Sequence, residues 1–82
     1  MTSTIQRTTT PHEIIIELTG LVDGELTSRS RVVDGLLDLR NASSSDAFQA
    51  RIDELLAGIP GLNTVPNGWW LDRLTELSEL DS

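Results

Sequence analysis

Apolar residues recur along this chain at the three- and four-residue spacing of amphipathic helices, in four separate stretches. The first opens at Thr10, which suits an N-cap because Pro11 fits the first helical position and Glu13 completes a T-x-x-E capping box. A helix is predicted from Pro11 to about Val22, with Ile14, Leu18, Leu21 and Val22 on one face and Ile15 at its edge. Ile16 falls on the opposite side. The run Ile14-Ile15-Ile16 also suits a short strand, since β-branched residues favour strands, but the capping box and the later leucines fit a helix better.

Asp23-Gly24 ends this stretch, and Thr27 or Ser28 can cap the next. From Arg29 to Arg40, a broad apolar face of Val32, Val33, Leu36, Leu37 and Leu39 opposes Asp34 and Asp38. Arg40 sits where the helix dipole favours a cation, and Asn41 is expected in the left-handed C-terminal position. Gly35 costs about 1 kcal/mol against Ala in a helix interior, so either a neighbouring backbone packs against it or the helix is locally weak.

A third helix is predicted from the Ser43-Ser44-Ser45-Asp46 cluster to Ala57, with Asp46 and Gln49 as a variant capping box and Phe48, Ile52, Leu55 and Leu56 as its buried stripe. Gly58-Ile59-Pro60 is the stop signal, with Gly58 expected as a left-handed cap. The linker from Pro60 to Asn67 carries Leu62 and Val65, expected to tack it onto the core. Asn67 should then cap a fourth helix reaching about Leu80, with Trp70, Leu74 and Leu77 facing inward and Leu71 on one flank. Asp72, Glu76 and Glu79 read as a solvated acidic ridge on its outer side. No internal sequence repeat is apparent.

The expected fold is therefore all-α: a small bundle of three to four short helices over residues 10–82, preceded by a Ser/Thr-rich, disordered tail over residues 1–9. With 82 residues and no Cys, the chain has neither the size for a large core nor disulfides to staple a small one. Docking on another protein or on a second copy would compensate. Thirteen acidic residues oppose six arginines, for a formal charge of −7. Such a field repels phosphate backbones and anionic lipid, so neither direct nucleic-acid binding nor a membrane role is expected, and a cytoplasmic location is the default.

Equipment for catalysis is thin. His12 is the only histidine, no G-x-S-x-G, P-loop or G-x-G-x-x-G pattern occurs, and no carboxylate spacing suggests a metal loop, so neither enzyme activity nor a cofactor or metal is expected. The informative feature is the pair Trp69 and Trp70. Adjacent helical residues point about 100° apart, so when Trp70 faces the core Trp69 is displaced toward Arg73 and Leu80. Arg73, four residues on, can lie across the Trp69 ring. Trp69 is then either core, under the folded linker, or a partly exposed anchor.

Trp69, Arg73, Leu80 and the misplaced Ile16 are the candidate partner-binding residues of a small acidic interaction module: a regulator, adaptor or accessory subunit. The alternative is a self-associating structural homodimer closed by the same apolar outliers. A nucleic-acid mimic and a small enzyme are the less favoured readings.

Overall fold

The computed structural model describes residues 10–81, and the tail expected over residues 1–9 lies outside them. Four helices, α1 (Pro11–Leu21), α2 (Arg29–Ala42), α3 (Asp46–Ala57) and α4 (Asn67–Asp81), carry the fold, with two three-residue strands between them, β1 (Leu26–Ser28) and β2 (Thr64–Pro66). The all-α prediction holds, and Ile14-Ile15-Ile16 is helical. The strands went unseen in the sequence because three residues are too few to display an alternation.

The helix starts follow from capping. Thr10 and Glu13 close the predicted box: the Glu13 amide donates to Thr10 Oγ1 at 3.2 Å and the Thr10 amide to Glu13 Oε1 at 3.1 Å. Ser28 caps α2 by accepting from the Arg31 amide, and Ser45 caps α3 by accepting from the Phe48 amide. Gln49 does not close a box with Asp46. Its side-chain amide donates instead to the carbonyls of Arg40 and Ser43, tying α3 to the end of α2. Two expected left-handed caps also fail: α2 runs past Asn41 to Ala42, and Gly58 has φ −121°. Among the described residues the left-handed ones are Gly24 and Gly61, each in the loop ahead of a strand. A Cβ on Gly61 would stand 2.0 Å from the Thr64 carbonyl oxygen, so only glycine fits there.

β1 and β2 pair antiparallel, centred on Thr27 opposite Val65. That register makes the chain two helix–strand–helix units, residues 11–42 and 46–81, set head to tail about a local two-fold axis. The links beside the ladder obey the same symmetry. The Arg29 amide donates to the Asn63 carbonyl and the Asn67 amide to the Glu25 carbonyl, each at 2.9 Å. At the next level, the Arg29 guanidinium donates to the carbonyls of Ile59 and Gly61, while the Asn67 side chain donates to those of Asp23 and Gly24. Each unit thus latches the glycine loop of the other. Asn67 opens α4, as predicted, but its side chain crosses to the other loop and also accepts from the Thr27 hydroxyl.

The buried positions repeat in step with this topology. Ile15 and Leu18 of α1 correspond to Ile52 and Leu55 of α3, and Val32, Leu36 and Leu39 of α2 to Trp70, Leu74 and Leu77 of α4; all ten are buried. Gly24 corresponds to Gly61. Sequence inspection misses the repeat because burial constrains apolarity and volume rather than identity: Val32 and Trp70 share a place without sharing a shape.

Some expected core positions move. Leu21, Leu37 and Leu62 are exposed, Leu62 by 89%, so the linker is held by Val65 and Ile59 rather than by Leu62. α2 is continuous through Gly35, and what packs against it is side chain rather than backbone. A Cβ there would lie 3.0 Å from both Leu18 methyls and 3.3 Å from Trp70 Cζ2, so the missing side chain is the socket in which α1 and α4 meet α2.

Candidate protein-interaction site

The inward stripe of α4 is the predicted one: Trp70 and Leu74 are 1% exposed and Leu77 is fully buried. Helical geometry then sends Trp69 to the margin, where it is half-buried and packs on the edge of the core. The Arg73 guanidinium carbon stands 5.6 Å from the Trp69 ring centroid, a cation–π contact that holds the indole in one orientation. Arg73 also stands 3.3 Å from Glu76 Oε1, but its Nε–H is buried and points at no acceptor. Charge attraction without hydrogen-bond alignment leaves that donor unpaired.

Glu76 does not belong to the solvated ridge expected of it. Arg51 of α3 grips it with both Nε and Nη2, the latter 3.1 Å from Oε1, and reaches Glu54 through Nη1 at 3.1 Å. This fork spans the α3–α4 seam and uses the planar geometry of guanidinium against carboxylate. The hydrogen bonds from Arg51 hold the Glu76 carboxyl below the usual carboxylate range, opposed by partial burial and helped by the charges of Arg51 and Arg73. In return Arg51 is held even more firmly protonated by Glu76 and Glu54. A second inter-helix ion pair, Arg40 Nε to Asp53 Oδ1 at 2.9 Å, closes the α2–α3 seam. Neither pairing was foreseen, because partners on separate helices carry no fixed spacing in sequence.

The four candidate residues separate into two places. Trp69 and Arg73 touch, and Leu80, 48% exposed, follows three turns later on the same stripe of α4. Ile16 is 59% exposed but lies elsewhere: it lines an apolar cavity of about 440 Å³ between α1 and α4, with His12, Ile15 and Thr75 among its neighbours. Thr75 projects from a different side of α4 than Trp69 and Arg73, so Ile16 does not join their surface. His12 is exposed, and among the described residues no group of three His, Cys, Asp or Glu side chains could hold a metal ion. No described helix is long and apolar enough to cross a membrane.

No protein-family model matches the chain, and no curated protein or solved structure is significantly similar to it.

Proposed function

We propose that this protein is a small, acidic, non-enzymatic interaction module of the cytoplasm, a regulator, adaptor or accessory subunit that docks the Trp69–Arg73 corner of α4 on a partner protein. The observation that carries the proposal is the half-buried indole under a guanidinium 5.6 Å away. Trp and Arg concentrate binding energy at interfaces because a large rigid surface is buried at small entropic cost. Leu80 extends the surface along the helix.

The test is affinity capture from source cells with wild type, Trp69→Ala and Arg73→Ala, followed by direct titration of the captured partner. Loss of at least tenfold in affinity from either well-folded variant is expected. Full retention by folded Trp69→Ala refutes the proposal. The second reading, a self-associating homodimer, is favoured by the exposure of Ile16 on the α1–α4 cavity. Molar mass in solution across concentration, with Ile16→Ala beside wild type, decides it: a stable monomer excludes the homodimer.

A further inference from the structure

The local two-fold axis allows each seam to be compared with its counterpart. In the second unit the α3–α4 seam is filled by Arg51, gripped by Glu54 from its own helix and Glu76 from the facing one. The counterparts in the first unit are Ile14 for Arg51, Glu17 for Glu54 and Asp38 for Glu76. Both carboxylates are kept and the cation between them is missing. What remains is a cavity of about 650 Å³ between α1 and α2, lined by Ile14, Glu17, Leu21 and Asp38.

Neither Glu17 nor Asp38 forms an ion pair with a described residue, and Leu21 stands 55% exposed at the edge of the cavity. Gly35 corresponds to Arg73, so α2 also lacks the long side chain that covers the equivalent surface of α4. Arg31, farther along the seam beside Asp34 and Asp38, corresponds to Trp69 rather than Arg51 and leaves the Glu17 end open.

We infer that the α1–α2 groove is a docking site for an arginine side chain on an amphipathic segment of a partner protein, the guanidinium lying between Glu17 and Asp38 as Arg51 lies between Glu54 and Glu76. The apolar walls, Ile14 and Leu21, suit the weakly hydrated guanidinium plane and a neighbouring leucine better than the compact ammonium of lysine. Among its described residues, a second copy of this chain is a poor donor. Its described arginines at 29, 40 and 51 are already engaged, Arg73 lies over Trp69, Arg31 belongs to the groove, and a net charge of −7 sets copies against each other. A basic partner meets complementary charge here.

This groove and the Trp69 corner occupy different faces, so the inference goes beyond the proposed function and is tested apart from it. The probe is a synthetic amphipathic peptide of about 12 residues, with two arginines and two leucines on one helical face and alanine elsewhere. It is titrated into the full-length ¹⁵N-labelled protein, alongside versions carrying lysine or the uncharged isostere citrulline. The arginine peptide should shift the amides of Ile14, Glu17, Leu21 and Asp38, and citrulline should weaken binding at least tenfold. The double variant Glu17→Gln/Asp38→Asn, both at exposed positions, should lose binding by a similar factor, and Ile14→Arg should block it by filling the groove from within. Trp69→Ala should bind as wild type. Shifts that avoid the groove, or equal loss from neutralising Asp72 and Asp23 instead, overturn the inference in favour of general charge attraction. A wild-type dimer that becomes monomeric with the double variant overturns it in favour of a second copy.

Discussion

Asn67 offers the sharpest test of how the two units are held together. It is 6% exposed, donates to the Asp23 carbonyl at 3.1 Å and to the Gly24 carbonyl at 2.8 Å, and accepts from the hydroxyl of Thr27, itself 7% exposed. Replacing it with Ala removes three hydrogen bonds of roughly 1 kcal/mol each and strands a buried hydroxyl. The two carbonyls belong to exposed loop residues that water can reach, which trims the loss. The expected cost of Asn67→Ala is therefore about 2–3 kcal/mol, which in a domain of this size lowers Tm by roughly 10–20 °C. Urea unfolding followed by far-UV circular dichroism and by tryptophan fluorescence measures it, with an unchanged m-value showing that the same surface is exposed.

Asn67→Asp separates hydrogen bonding from packing. It keeps the shape and the acceptor for Thr27 but turns a carboxylate toward two carbonyls, so it should cost at least as much as Ala at pH 7. The facing carbonyls hold that carboxyl above its ordinary value, so the deficit should shrink as pH falls toward about 4, where the carboxyl has regained a proton to donate, and stay constant below it. Arg29→Ala, which cuts the counterpart latch at a half-exposed side chain, should cost only about 1 kcal/mol. An Asn67→Ala loss below about 1 kcal/mol, or an Asn67→Asp variant as stable as wild type at pH 7, would refute the latch.

Three further outcomes are expected. Gly35→Ala should destabilise by about 1 kcal/mol despite its better helix propensity, because the added methyl meets Leu18 and Trp70 at 3.0–3.3 Å; a rise in Tm by scanning calorimetry would show that the socket has slack. Gly61→Ala should cost more than Gly24→Ala in chemical denaturation: both have positive φ, but only at Gly61 does the new Cβ strike a carbonyl, so equal losses would contradict the structure. Glu76→Gln should be less stable than wild type at pH 7, and the gap should close as pH falls. Arg51 holds the Glu76 carboxyl below its ordinary 4.5, so the stabilisation is complete above that value and is lost as acid titrates the folded state. A gap independent of pH from 7 to about 2 would mean that the charge of Glu76 contributes nothing.

The four helices, the Thr10–Glu13 box and the inward stripe of Trp70, Leu74 and Leu77 were legible in the sequence, because periodicity and capping act over three or four residues. The displacement of Trp69 toward Arg73 followed from the same local geometry. Leu21, Leu37 and Leu62 misled for the complementary reason: an apolar residue declares a tendency to be buried, while the neighbouring helices decide whether a place exists.

Tertiary structure alone decided the rest. The pairing of Thr27 with Val65, the cross-unit reach of Asn67 and the grip of Arg51 on Glu76 join residues far apart in the chain, and no local signal encodes such distances. The separation of Ile16 from Trp69 has the same origin, since a helix wheel assigns a side but not the neighbour that side will meet. The local two-fold axis is the clearest case: its two halves share buried places rather than residues, so it becomes visible only once the strands have set one half against the other.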